Sequence, residues 1–190
     1  MHGIFKKQIQ RYVEPTPEEW ADFISYWQPF SVEKNVVITE IGQVEKYFYF
    51  INEGLLRGYF LKDGEEYNIG FSYQGDPSGV YDSFHQQAPA QWALETLMPT
   101  RGLKITHADL MRLFEKHKVF ERWGRMFFTD VSIGLGVFIR SLISDTAEEK
   151  FRKLMERSPH VIQLIPQKHL ASYLGMTPET FSRMRKKWME

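Results

Sequence analysis

The chain has 190 residues, of which 43% are hydrophobic and 25% charged, a composition typical of a globular protein with one good core or two small domains. It contains no cysteine, which excludes disulfides, thiolate nucleophiles, cysteine-based zinc sites and iron–sulfur clusters. No uninterrupted apolar run approaches the roughly 20 residues that span a bilayer, and the N-terminus lacks a secretory signal, so we expect a cytoplasmic protein.

The zero net charge conceals an asymmetry along the chain. Residues 150–190 contain nine Lys or Arg against three Glu, a net charge of +6, so residues 1–149 carry −6. A basic end on an acidic body favours a polyanionic partner for that end. On charge alone, a solvated basic surface without a partner is an equally good interpretation.

The first predicted element is a helix near the N-terminus. Thr16 and Glu19 have the spacing of a capping box, and Pro17 suits the first helical position. Large apolar residues at helical spacing across 20–27 predict one buried face, and Pro29 is expected to end the helix.

Between residues 35 and 106 the pattern changes to short β-rich runs cut by turns. Asp63-Gly64 supplies the positive φ angles that a hairpin turn needs. Regularly spaced short strands of this kind predict an antiparallel sandwich or barrel. The predicted strands cover 36–38, 47–51, 55–61 and 67–71.

Helical spacing returns after residue 106, with a short helix predicted at 107–115 and a long one at 119–143. Gly134 and Gly136 each weaken a helix by about 1 kcal/mol relative to alanine, but they let a partner helix approach closely. We favour a subunit interface over packing on the chain's own core. The apolar residues at three- or four-residue steps are Phe120, Trp123, Phe127, Leu135, Phe138 and Leu142.

The segment from Ile165 to Lys187 predicts two helices joined by a glycine turn. A further helix precedes it, opened by a Thr146–Glu149 capping box and closed at Ser158-Pro159. Within the segment, Gly175 suits the left-handed residue that ends the first helix. Ala171 is small enough for the two helices to cross closely. Thr177 suits the N-cap of the second helix, and Pro178 suits its first position. Leu170, Leu174, Phe181 and Met184 are expected to form the shared core.

The exposed face of the second helix carries residue types that read DNA. Arg183 can donate two hydrogen bonds to guanine, and Glu179, which projects from the same side, can accept one from cytosine. Thr180 lies beside them, and the three basic residues at 185–187 suit phosphates. We therefore predict a DNA-binding helix-turn-helix, the alternative being a generic helical hairpin with a basic end.

Strands, one long helix and a terminal helix-turn-helix, in that order, resemble the cyclic AMP receptor protein/FNR superfamily of bacterial transcription regulators. The segments at 49–54, 63–66 and 75–76 are similar to the family's strand and turn signatures. The resemblance implies an α+β fold: an antiparallel, jelly-roll-like β-roll effector domain at 1–118, a dimerisation helix at 119–144 and a small helix-turn-helix domain at 145–190.

The resemblance also implies a DNA contact set. The recognition segment keeps Glu179, Thr180 and Arg183, whereas Pro178 stands where the family has an arginine. The implied partners are double-stranded DNA and a second copy of the chain. The implied DNA-binding residues are Gln167, Thr177, Pro178, Glu179, Thr180, Arg183, Lys186 and Lys187.

The effector site departs from the family's cyclic-nucleotide binders. Val80 follows Gly79 where those proteins have a glutamate, Ala90 stands at the phosphate-binding arginine, and residues 76–91 contain no Arg or Lys. A buried phosphate would lack the cation that offsets its desolvation, so we expect the fold to persist without cyclic AMP binding. The degenerate pocket is expected to involve Phe71, Gly79, Val80, Tyr81, Ala90, Gln91 and Leu135.

Aromatic residues near that site either line a pocket for an unknown apolar effector or fill it, and we favour filling. They are Phe71, Tyr73, Tyr81, Phe84 and Trp92. His85 is interpreted as structural or exposed rather than a haem or metal ligand, and no cofactor is expected.

Two other classes of protein remain open. A cupin-like enzyme would need clustered histidines, but the six histidines include no His-x-His pair. The second open class is a cyclic-nucleotide-binding module that acts through contacts with other proteins. Because the sequence stops three residues after Lys187, we also expect no β-hairpin wing, and hence weak, salt-dependent DNA binding that relies on a dimer.

Overall fold

The computed structural model describes residues 2–189 and has the predicted α+β class. The strands are β1 (Gln28–Val32), β2 (Val37–Thr39), β3 (Tyr47–Glu53), β4 (Leu55–Lys62), β5 (Glu65–Tyr73), β6 (Pro77–Ser78), β7 (Ala93–Thr96) and β8 (Thr100–Thr106). The helices are α1 (His2–Gln10), α2 (Pro17–Ser25), α3 (Tyr81–Gln86), α4 (His107–Lys116), α5 (Lys118–Ser144), α6 (Ala147–Arg157), α7 (Val161–Leu164), α8 (Gln167–Tyr173) and α9 (Pro178–Met189).

The strands form two four-stranded sheets in the orders β1-β8-β3-β6 and β2-β7-β4-β5. This confirms the predicted antiparallel β-roll. Asp63 and Gly64 turn the β4–β5 hairpin with φ angles of 53° and 82°, as a two-residue turn of this kind requires. The four predicted strands correspond to β2–β5, whereas β1, β6, β7 and β8 were not predicted.

The chain divides into two compact units. Unit 1 contains the residues up to Phe60 together with Gly70–Thr129, and unit 2 contains Leu61–Ile69 with the residues from Asp130 onward. The long helix α5 contributes its first part to unit 1 and its second part to unit 2.

An aromatic core holds unit 1 together. Phe23 of α2 stacks on Phe120 of α5 with ring centroids 4.1 Å apart, and Phe5 of α1 packs 4.4 Å from Phe50 of β3. The Thr16 capping box opens α2 as predicted. The prediction that Pro29 ends this helix was wrong, because α2 ends at Ser25 and Pro29 lies in the edge strand β1, where a missing N–H is tolerated.

Helix α5 confirms the long helix predicted at 119–143. Its first part buries Phe120, Trp123 and Phe127 in the chain's own core. The prediction that these three aromatic residues face another subunit was therefore wrong, because they pack on Phe23 and Phe48. Among the residues that the structure describes, α5 alone is long and apolar enough to cross a membrane, although Asp130 and Arg140 lie within it. Its second part exposes Ile133, Leu135, Val137, Ile139 and Ile143.

Unit 2 has its own small core under α6, α8 and α9. Phe151 of α6 meets Phe181 of α9 edge-on at 5.2 Å. The tip of the β4–β5 hairpin belongs to this unit: the Asn68 N–H donates to Ser172 Oγ at 3.0 Å, and Ser172 Oγ donates to the Glu66 carbonyl oxygen at 3.3 Å. These two hydrogen bonds of the Ser172 hydroxyl therefore hold the hairpin tip on α8.

Candidate nucleic-acid interface

The turn between α8 and α9 forms as the residue types predict. Gly175 adopts a left-handed conformation with φ 64°, which glycine takes without a steric penalty. The Gly175 N–H donates to the Ser172 carbonyl oxygen at 3.0 Å, and the Met176 N–H donates to that of Ala171 at 3.0 Å. These bonds satisfy carbonyl groups at the end of α8 and fix the direction in which α9 leaves.

Thr177 opens α9. Its Oγ1 accepts a hydrogen bond from the Thr180 N–H at 3.2 Å, and its carbonyl oxygen accepts one from the Phe181 N–H at 3.0 Å. Pro178 is the first helical residue. Of the predicted shared core, Leu170, Leu174 and Phe181 are buried, whereas Met184 is half-buried.

A groove of about 580 Å³ runs along the exposed side of this helical pair. At one end the Gln167 side-chain amide donates to the Pro178 carbonyl oxygen at 3.2 Å, which joins the start of α8 to the start of α9. Ser182 is the one groove residue that the sequence analysis missed, and its spacing from Glu179 and Lys186 was the available signal. The groove is lined by Gln167, Pro178, Glu179, Ser182, Arg183 and Lys186.

The remaining predicted DNA contacts lie outside that lining. The Thr177 and Thr180 hydroxyls bond each other at 3.3 Å within the N-cap. Lys187 Nζ lies 2.9 Å from both carboxylate oxygens of Glu148 on α6, so its charge is already paired. The structure thus brings five of the eight predicted residues into one groove.

The groove presents both signs of charge to solvent. Arg183 and Lys186 are exposed, and neither forms an ion pair with any described residue. The backbone N–H of Glu179 and the Thr177 hydroxyl stabilise the Glu179 carboxylate and hold its pKa below the usual value. The site therefore offers cationic donors and an ionised acceptor side by side.

Two residues of the predicted effector pocket lie in a buried apolar cluster inside the β-roll. Val80 and Ala90 are 0% and 1% exposed and belong to one apolar cluster. Side chains from both sheets occupy the space beside them. The other buried members are Tyr49, Ile51, Leu56 and Leu94, with Phe30, Ile38, Tyr47 and Trp92 packed against them.

A buried carboxylate, Glu45, lies at the edge of this cluster and is 2% exposed. Its side chain accepts hydrogen bonds from Thr39 Oγ1 at 2.8 Å, from the Tyr47 N–H at 3.1 Å and from the Val80 N–H at 3.3 Å. Its own N–H donates to Ser83 Oγ at 2.9 Å. Burial raises the pKa of Glu45, and these donors act in the opposite direction.

Glu45 therefore ties the β2–β3 loop to the start of α3. Sequence reasoning missed it because its partners Val80 and Ser83 are distant in the chain, and no local pattern distinguishes it from a solvated loop glutamate. The available sequence signal was that Glu45 lies just before the β-rich run at 47–51.

The other residues predicted to form the pocket lie outside this apolar cluster. Tyr81 and Phe84 pack against Phe48 in the aromatic core, at 5.8 and 5.9 Å between ring centroids. Gln91 is exposed, Phe71 is half-buried, and Gly79 has a φ of 144°. Leu135 lies on α5 with 52% of its surface exposed.

His85 lies on α3. Its ring contacts Phe128 at 4.5 Å, and burial together with the neighbouring His107 lowers its pKa. Across residues 3–189, no three His, Asp or Glu side chains converge as metal ligands would.

Residues 29–117 match the family model described as the cyclic nucleotide-binding domain. No curated protein matches the chain in sequence at a significant level. The β-roll, the long helix and the C-terminal helices together have the fold of cyclic AMP receptor protein/FNR-type regulators.

Three solved structures illustrate that likeness. FixK2 from Bradyrhizobium japonicum has a TM-score of 0.75 and 19% identity, covering 86% of this chain and 84% of that one. A putative regulator of the crp/fnr family from Eubacterium rectale has a TM-score of 0.68 and 14% identity, with coverages of 92% and 84%. A CooA mutant from Carboxydothermus hydrogenoformans has a TM-score of 0.68 and 12% identity, with coverages of 96% and 87%.

Proposed function

We propose that this chain is a homodimeric, non-enzymatic, cytoplasmic transcription regulator that binds double-stranded DNA through a helix-turn-helix formed by α8 and α9. The observation that carries the proposal is the α9 groove, in which Arg183 and Lys186 are exposed without an ion pair among the described residues. Exposed cationic side chains along one side of a helix suit the base edges and phosphates of a major groove.

The roles of the groove residues follow from their chemistry. Arg183 presents two parallel donors to guanine O6 and N7, and the ionised Glu179 accepts from cytosine N4. Lys186 and the exposed start of α9 at Thr177-Pro178 lie where phosphates position the duplex. Gln167 supports this surface through its bond to the Pro178 carbonyl oxygen.

The second part of α5, within the linker helix proposed at 119–144, is proposed as the dimer interface. Five of its aliphatic side chains are more than half exposed, and soluble proteins commonly cover such side chains by association. Nothing within 4 Å would meet a Cβ at Gly134 or Gly136, so a second helix has room to approach there. This pairing, rather than insertion into a membrane, covers the apolar face.

The effector domain is proposed not to bind cyclic AMP. A phosphate at Ala90 would displace the apolar cluster and would lie among residues 76–91, which supply no cation. Glu45 would add a like charge at the Val80 N–H, which it already occupies. The packing of apolar side chains at this position is the physical reason why we expect no cyclic AMP binding.

Fluorescence anisotropy with labelled duplexes from the organism's own promoter regions, measured across a salt series, tests DNA binding. We expect affinity to fall steeply as salt rises, because phosphate contacts release counterions. Ser182→Ala should leave the salt slope unchanged, whereas Lys186→Ala should reduce it by about one. Absence of binding to every duplex at low salt would overturn the proposal.

A second candidate is a cyclic-nucleotide-binding module that acts through protein contacts, and the family match at residues 29–117 favours it. Calorimetry with cyclic AMP and cyclic GMP separates the two. Binding of either nucleotide at micromolar concentrations would support the second candidate, and we expect none.

A further inference from the structure

A second groove lies on unit 1, away from the residues discussed so far. It has a volume of about 480 Å³ and forms where the loop between α1 and α2 meets the start of α5. That volume falls in the range of about 300–1,000 Å³ found for small-molecule sites. Its lining includes Arg11, Tyr12, Glu14, Lys118, Val119 and Arg122.

Three of these side chains are cations without a carboxylate partner. Arg11, Lys118 and Arg122 are exposed, and within residues 2–189 none of them forms an ion pair. The guanidinium of Arg11 lies 5.8 Å from the ring centre of Tyr12. The one acidic lining residue, Glu14, accepts a hydrogen bond from Gln10 at 2.9 Å, so the groove has an excess of positive charge.

This excess stands on an acidic background, because residues 1–149 carry a net charge of −6. Three like charges facing one groove repel each other unless an anion is present. Lys118 and Val119 are also the first residues of a 27-residue helix. The Phe120 and Glu121 N–H groups donate to the His117 carbonyl oxygen, which leaves those of Lys118 and Val119 without a backbone acceptor among the described residues. Charge and backbone donors thus favour the same kind of ligand.

We propose that this groove binds a small phosphorylated ligand, a phosphate monoester or diphosphate, distinct from DNA and from the cyclic-nucleotide position of the β-roll. The guanidinium groups of Arg11 and Arg122 hold the phosphate oxygens, and Lys118 supplies a further charge. The ring of Tyr12 and the side chain of Val119 contact the uncharged part of the ligand. The size of the groove favours a small molecule over a protein segment, which needs a larger surface.

Isothermal titration of the full chain with inorganic pyrophosphate at low ionic strength tests the site. We expect one site per chain with a Kd below about 1 mM. Arg11→Gln and Arg122→Gln should each weaken binding by about tenfold or more, since each removes a charged hydrogen-bond donor. Arg125→Gln, one turn further along α5 and outside the lining, is the matched control and should have no effect.

Three outcomes would overturn the proposal: no binding of pyrophosphate, equal weakening by Arg125→Gln, or competition by duplex DNA. Arg183→Ala separates this site from the DNA surface, since it should change DNA binding and leave pyrophosphate binding intact. If Arg11→Gln lowers the melting temperature, Lys118→Gln replaces it. Amide chemical shifts provide an independent check, because pyrophosphate should perturb residues 10–14 and 118–122 first; perturbation centred elsewhere would contradict the assignment.

Discussion

The same resemblance implied a site in the interior of the β-roll and another on the exposed side of α9. In the structure the first is buried and apolar, whereas the second is exposed and charged. Val80 and Ala90, where the resemblance implied polar ligand-binding residues, pack in one apolar cluster. Along α9, Glu179 and Arg183 remain exposed and turned to the same groove. Apolar packing can therefore stabilise this fold at the position where a ligand site was predicted.

The largest expected effect comes from placing an arginine inside the β-roll. Ala90→Arg places a long cation in a position that is 1% exposed, and we expect a loss of about 3 kcal/mol or more in the free energy of unfolding. Urea denaturation measures it. The neighbouring Gln91→Arg, at an exposed position, should change stability by less than about 0.5 kcal/mol.

If Ala90→Arg were instead well tolerated and gave cyclic AMP binding, the interior would be an open pocket that side chains merely border. The contrast between the two regions would then disappear. Calorimetry on the same variant decides this.

On the DNA side, Arg183→Ala should cost about 1–3 kcal/mol of binding free energy and relax specificity at one base position per half-site. Lys187→Ala should have a smaller effect that is equal on all sequences, because Lys187 is already paired with Glu148. A competition assay with single-base operator variants distinguishes them. Identical profiles for both variants would refute the assigned roles.

The N-cap of α9 should contribute a moderate amount to stability. Thr177→Ala removes the acceptor for the Thr180 N–H and should lower the free energy of unfolding by about 1 kcal/mol. Thr129→Ala, at an exposed helical position on α5, is the control. Thermal denaturation that moves equally for both would show that the cap does not hold α9.

The smallest expected effect is a pH dependence located at Glu45. Because its pKa is raised in the folded state, the folded protein binds its proton more tightly than the unfolded chain does. Wild-type stability relative to Glu45→Gln should therefore be highest below the ordinary value of 4.5 and should fall as pH rises through the raised pKa.

Denaturation of both proteins between acidic and neutral pH isolates this contribution from Asp22 and Asp145, whose lowered pKa values act in the opposite direction. If the stability of the wild type relative to Glu45→Gln stays constant or grows with pH, ionisation of Glu45 does not destabilise the folded protein and the prediction is wrong.

Local signals predicted the elements that depend on neighbouring residues. The capping boxes at Thr16 and Thr146, the turns at Asp63 and Gly175, and the long helix at 119–143 were all confirmed. Each depends on residues within a few positions of one another, which a sequence displays directly.

Elements that depend on distant partners were missed. Strand β1 contains Pro29, and β8 contains Gly102, where a Cβ would collide with the Phe50 carbonyl oxygen. Both residues disfavour a strand locally, and only pairing with another strand explains them. Glu45 escaped for the same reason, because its hydrogen-bond donors at Thr39 and Val80 come together only in the folded β-roll.

Helix α5 also has a consequence for how the protein responds to its own abundance. Its first part is anchored by Trp123 and Phe127, whereas five aliphatic side chains of its second part are exposed: Ile133, Leu135, Val137, Ile139 and Ile143. If two copies must meet through this face before two recognition helices can engage DNA, occupancy rises with the square of protein concentration at low levels. Under the proposed function, the cellular concentration of the protein would then itself act as the signal.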